Sequence, residues 1–176
     1  QLGFDEPLGL GRAIAAGLDP AALIQDRGCG LSTLTGAGTG QSLDHLPTAR
    51  LEEAVERLAA LATTFDEVLV DLPSGLERVG PAFIGRAGRL LLVGSNEPTS
   101  LTDNYALVKL TRGAAPRPLF VANAVADAAE GRAAHASLAR ACRHFLDLDC
   151  AYLGAVRHDR RGPQAIRRQM PLCPRS

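Results

Sequence analysis

Residues 67–76 read EVLVDLPSGL, an apolar run that ends on Asp71 with Gly75 four positions further on. An aspartate at the carboxyl end of a buried strand can order the water shell of a Mg²⁺ ion, and the glycine-bearing turn beside it is where a nucleotide's γ-phosphate is sensed. Such chemistry also requires a phosphate cradle. The form G-x-x-x-x-G-K-[ST] supplies one, because its amides wrap the phosphates and its lysine neutralises them. The one lysine of this chain is Lys109, and no glycine loop leads into it.

The elements that would carry these residues alternate between short apolar runs and longer helical patterns, which predicts an α/β fold with a doubly wound, mostly parallel sheet. Helices are expected over residues 7–17 and 20–26, the second opening at Asp19-Pro20. Residues 31–35 read as a strand entering the loop 36–40. Leu51, Val55, Leu58 and Leu61 recur at helical spacing in 48–64, so one face of that helix packs on a sheet. A strand over 67–72 follows, then a short helix at 79–85. The strand at 89–94 (RLLLVG) is continuously apolar, as a strand buried on both faces should be. An amphipathic helix with Leu101, Tyr105 and Val108 inward comes next. Then follow a strand at 118–123, a long helix at 129–147, a strand at 150–156 and a basic helix at 162–169. No repeat, linker or low-complexity stretch interrupts the series, so residues 1–176 read as a single domain.

Ligands of such sheets bind at the carboxyl ends of the strands. The polar residues found there are Asp71, the turn at 95–98, Asn123, and the turn Arg157-His158-Asp159. Each has a plainer reading: Asp71 as a turn residue, Asn123 as the cap of the following loop, Arg157 and Asp159 as a surface ion pair of little energetic consequence. Their recurrence at successive strand ends favours a shared site.

Composition bounds the alternatives. With 176 residues, 46% of them hydrophobic, the chain can bury a sizeable core. Its net charge is zero, so no global field steers it to nucleic acid or to a membrane. Cys29, Cys142, Cys150 and Cys173 form no C-x-x-C pair and have no histidines at zinc-finger spacing, which points to reduced thiols of a cytosolic protein. Cys142 and His144 do not share a helix face, which weakens a metal site with Cys150. The loop TGAGTG lacks the full G-x-G-x-x-G and its distant acid, and reads as a tight turn. No G-x-S-x-G elbow is present. The cluster Arg157, Arg160, Arg161, Arg167 and Arg168 has no groove-reading companion and reads as a solvated face, which argues against DNA binding.

The succession VDLPSGL, NEPTSLTDNYALVKL, FVANAV, EGRAAHASLARACRHFL and YLGAVRHDRRGPQAIRRQMPL resembles the MinD/ParA class of deviant P-loop ATPases. It is most similar to the branch that regulates flagellar number and placement (the FlhG or FleN type). The EPTSLTDNYALVK segment is the most specific match, and the resemblance spans essentially the whole chain. It implies ATP and Mg²⁺ as cofactors. Asp71 matches the Walker B aspartate, which meets Mg²⁺ through water, and Gly75 the switch II glycine. Asn123 matches the asparagine that recognises adenine, and Arg157 to Asp159 the loop packing beside the base, although a proline often stands where Arg157 does. Pro73 and Ser74 fall where many members carry Gly-Ala. The Walker A lysine and the switch I aspartate match no position.

The same resemblance implies an ATP-bound homodimer of the full-length protein that acts as a positional switch with flagellar or division proteins. Membrane association would come only from a segment outside this chain, for a cytoplasmic protein or one peripheral at the inner membrane. The chain opens on Gln1 and carries its one methionine at position 170, so the expectation is an incomplete domain of P-loop NTPase type that lacks the P-loop strand. That strand belongs in the middle of the sheet, and its neighbours would be left with unpaired backbone groups. The alternative from a different class is a scaffold that keeps the fold and partner surface without the ATPase chemistry.

Overall fold

The computed structural model describes residues 9–28, 30–36, 43–72, 79–114 and 116–168. They divide between two compact units, Asp5–Arg86 and the residues from Ala87 onward.

In the first unit a short helix α1 (Leu10–Ala15) precedes a 3₁₀ turn at Pro20–Leu23, which Asp19 caps by accepting the Ala21 amide at 3.0 Å. The expected helix at 20–26 therefore stops after one turn. Its last residues instead form β1 (Gln25–Asp26), antiparallel to β2 (Ser32–Thr33). Gly28 and Gly30, both at positive φ, turn the chain between the two strands, a conformation that glycine adopts at little steric cost. Helix α2 (Thr48–Ala62) buries Leu51, Ala54 and Val55, as the apolar spacing requires. Its outer face is laced by Glu53, which accepts from Arg50 at 3.1 Å and from Arg57 at 2.6 Å. Leu10, Ile14, Leu46 and Ala54 form one core cluster; Leu51 and Val55 form another with Val79 of α3 (Val79–Ile84).

Residues 67–72 correct the sequence reading. They form no strand, and Val68, Leu69 and Val70 are 48%, 88% and 55% exposed. An apolar run becomes a strand only when neighbouring backbone accepts its hydrogen bonds, and no ladder reaches this stretch among the described residues.

The second unit is a three-stranded parallel sheet, β3 (Leu90–Gly94), β4 (Pro118–Val125) and β5 (Ala151–Arg157), in that order, with crossovers through α4 (Pro98–Leu110) and α5 (Ala128–Leu146). Parallel neighbours require such crossovers, which here are helical. Pro98 opens α4 with its φ preset and no amide to satisfy. Asp127 caps α5 by accepting the amides of Ala129 and Glu130, both at 2.8 Å. At the other end Asp147 turns left-handed and the Leu148 amide returns to the Cys142 carbonyl at 3.3 Å. A short helix α6 (Gly162–Arg167) follows β5.

The core lies between one sheet face and the helices: Leu92, Phe120, Ala122, Val108, Ala134, Leu138, Cys142 and Leu146 are all buried. A Cβ at Gly131 would stand 2.8 Å from the Ala155 methyl and the Tyr152 hydroxyl, so glycine lets α5 lie directly on the sheet. The opposite face leaves Leu91, Val93, Leu153 and Val156 exposed. The run RLLLVG is thus buried on one side only, in contrast to the two-sided burial its composition predicts. Composition records which residues avoid water, whereas among the described residues of this unit α4 and α5 cover a single face.

Candidate functional site

The carboxyl ends of β3, β4 and β5 are tied into one polar rim. Beyond Gly94 the Ser95 amide donates to the Ser100 hydroxyl at 3.0 Å, and the Glu97 amide to the Ser95 hydroxyl at 3.3 Å. Asn104, buried one turn further along α4, donates to the Ser100 carbonyl at 2.9 Å and the Val93 carbonyl at 3.4 Å. A Cβ at Gly94 would meet the Asn104 amide nitrogen at 2.7 Å and the Phe120 ring at 2.9 Å, so only glycine fits under this clamp. The segment EPTSLTDN therefore encodes a strand-end turn held from the helix that follows it.

Glu130, in the first turn of α5, bridges two of these ends. One carboxylate oxygen accepts the Ala126 amide at 2.6 Å, and the other lies 3.4 Å from the Asn96 amide nitrogen. The β5 end is fastened to the same place, because the His158 amide donates to the Val125 carbonyl at 2.9 Å. Asn123 stands on this rim, exposed, in register with Val156 of β5. Arg157 ends β5 and is exposed as well. Asp159 does not pair with Arg157. It accepts from the Arg161 guanidinium at 2.8 to 3.2 Å and from the Arg161 amide at 2.8 Å, and these bonds hold its carboxyl at about 2. The acid is therefore a fixed anion that organises the β5–α6 turn.

Of the sequence-derived candidates, Asn123, Arg157 and Asp159 come together on adjacent strand ends of one sheet. Asp71 lies in the other unit, exposed at the end of residues 67–72. Gly75 lies outside the described residues. An exposed carboxylate suits a Mg²⁺ ion met through water, since that ion retains much of its hydration shell. An exposed carboxamide on a strand end suits the edge of a purine, to which it can both donate and accept. Glu130, Ser100 and Asn104 were not among the candidates. Asp127-Ala-Ala-Glu130 does carry the D-x-x-E signature of a helix start, from which a carboxylate at the strand end is legible.

Elsewhere in this unit, Cys142 and Cys150 are buried free thiols, and burial pushes Cys150 up to about 11. A cavity of about 250 Å³ lies at the amino ends of β3 and β4, between Leu90, Val108, Pro118 and Leu148. Thr111, which also lines it, spends its hydroxyl on the Leu107 carbonyl at 2.8 Å. The polar strand ends and this cavity are therefore different places. Among the described residues no helix is long and apolar enough to cross a membrane.

A parallel α/β sheet with its polar groups at the carboxyl strand ends defines a class, and solved structures identify its fold. The crystal structure of the cell division ATPase MinD of Pyrococcus furiosus superposes with a TM-score of 0.72 at 20% identity, covering 97% of this chain and 69% of that one. The fold is that of the MinD P-loop ATPase. By sequence, the antiactivator FleN of Pseudomonas aeruginosa is 30% identical over 142 residues, 80% of this chain and 51% of that protein. The flagellum site-determining protein YlxH of Helicobacter pylori is 27% identical over 129 residues, 72% of this chain and 44% of that protein. No family model matches the chain. In fold and sequence the chain is similar to MinD/ParA-type, FlhG-like proteins, and it spans about half the length of the curated relatives it matches.

Proposed function

We propose that this chain supplies the magnesium-aspartate and adenine sides of an ATP site in a nucleotide-dependent positional switch for flagella or the division machinery. The observation that carries this reading is the exposed Asn123 carboxamide on a MinD-type sheet, between the Asp159–Arg161 turn and the rim fastened by Glu130. In this reading Asn123 binds the adenine edge, and Arg157 with the Asp159 turn flanks the base. Asp71 orders the water shell of Mg²⁺, and Gly75 offers its amide to the terminal phosphate. The bound Mg²⁺·ATP supplies the cleavable phosphoanhydride. The phosphate loop has no counterpart in residues 1–176 and is assigned to the length of the relatives that this chain does not match.

The names of these relatives, an antiactivator and a flagellum site-determining protein, support placement or number control of flagella as the process. ATP then closes a homodimer and hydrolysis opens it, in a cytoplasmic protein that reaches the inner membrane only through a segment outside this chain. Light scattering of the full-length protein tests the reading: ATP should drive dimerisation, and Asp71→Ala should abolish it. Dimerisation that persists without nucleotide would sink the switch and leave a scaffold.

A further inference from the structure

Along β4, inward and outward positions alternate from Pro118 to Ala122. Pro118, Phe120 and Ala122 are buried, whereas Leu119 and Val121 stand in register with the exposed Leu91 and Val93. Continued alternation would turn Ala124 inward and Val125 outward. The reverse is observed. Val125 is 1% exposed, Ala124 is exposed with φ at 56°, and the β4–β5 register breaks between Asn123 and Val125. Ala124 is therefore the extra residue of a bulge, which resets the parity of the strand and turns Val125 inward directly after the outward-facing Asn123.

A left-handed alanine is disfavoured, because its Cβ crowds the following carbonyl, and it persists only where the surroundings over-determine it. Three contacts do so here. The Val125 side chain is buried, the Val125 carbonyl accepts the His158 amide at 2.9 Å, and the Ala126 amide donates to Glu130 at 2.6 Å. Glu130 is itself placed by the Asp127 cap, which accepts its amide at 2.8 Å.

We infer that the Ala124 bulge is a positioning device that fixes the plane of the Asn123 carboxamide for one purine edge, and that Glu130 is the positioning residue that holds it closed. This rests on the assignment of Asn123 as the base reader. A carboxamide distinguishes adenine from hypoxanthine by accepting from the exocyclic amine while donating to the ring, and both bonds form only if its plane is held. The contacts of Glu130 are to backbone and Asn96, so its effect on binding travels through the Asn123 orientation.

Calorimetric binding of ADP and IDP to the full-length protein provides the test, read as the ratio of the two affinities. Glu130→Ala should reduce the adenine preference about tenfold, the effect of losing one ordinary hydrogen bond. Glu130→Gln keeps an acceptor for the Ala126 amide and should keep the preference. Ala124→Gly, which tolerates the left-handed φ, should keep it too, whereas Ala124→Val should lose it. Glu130→Ala and Ala124→Val proteins with the wild-type ratio, even at lowered affinity for both nucleotides, would overturn the inference and leave a purely structural bulge. A wild-type protein with no preference would overturn the base-reading role of Asn123 and this inference together.

Discussion

Residues 67–72 (EVLVDL) and β3 (LLLVG) are both short, apolar and rich in branched side chains, yet they end in different states. In β3, Leu92 is 1% exposed and every residue has a parallel partner on β4. In 67–72, Leu69 is 88% exposed and no strand forms. Strand character thus depends on partner backbone and a covering layer as much as on composition, since burial without satisfied amides costs more than it returns. β3 has β4 beside it and α4 over one face; the run ending at Asp71 has no such partner among the described residues.

The largest expected effect tests that contrast directly. Phe120→Ala removes a fully buried ring from the centre of β4 and should cost about 3–5 kcal/mol in urea unfolding. Leu69→Ser, on the open run, should stay within about 0.5 kcal/mol of wild type in this chain. In the full-length protein the same Leu69→Ser should cost about 2 kcal/mol or more if a strand pairs with 67–72 there. A near-neutral Leu69→Ser there would mean that the run stays uncovered, and the comparison would then reflect its sequence rather than its pairing.

A second pair of substitutions sharpens the account of the β3 end. Gly94→Ala must displace the Asn104 amide or the Phe120 ring, and is expected to cost about 1–3 kcal/mol. Gly88→Ala, a few residues upstream with nothing within 4 Å of its would-be Cβ, is the control and should be near neutral. Equal effects at the two positions would remove the clamp from the explanation of the EPTSLTDN segment.

How legible each region was follows the same division. Helices α2, α4 and α5 and strands β3, β4 and β5 were readable in kind and place but not in what covers them: α2 packs against α1, α3 and the 3₁₀ turn rather than on a sheet, and β3 is covered on one face instead of two. The helix at 20–26 was not, because Asp19-Pro20 starts a turn as readily as a helix, and Gly28 and Gly30 pull the following residues into a hairpin. Asn123, Arg157 and Asp159 were singled out as candidates by their expected place at strand ends, which is where β4 and β5 carry them. The plainer reading of Asp159 as the ion-pair partner of Arg157 does not hold, because the carboxylate turns forward to Arg161. The Ala124 bulge was invisible, since nothing in FVANAV marks an alanine for a left-handed conformation; the φ of Ala124, the register break and the burial of Val125 reveal it.

The smallest expected effect belongs to that Asp159–Arg161 turn, and its sign is fixed by the bonding. The Arg161 side chain and amide favour the carboxylate, so the folded carboxyl titrates at about 2, below its ordinary 3.8. Whatever stability the turn adds is therefore fully present above the ordinary value and is lost as pH falls through about 2. Because the pair is solvent-exposed, the contribution should shrink further in high salt. An NMR titration of the Asp159 carboxyl should place its midpoint near 2, and Arg161→Ala should move it up toward 3.8. Arg157→Ala, two residues before it at the end of β5 and unpaired with this acid in the structure, should leave the midpoint where it is. A midpoint that follows Arg157 instead would restore the ion pair that sequence proximity suggests and reassign which arginine holds the turn beside Asn123.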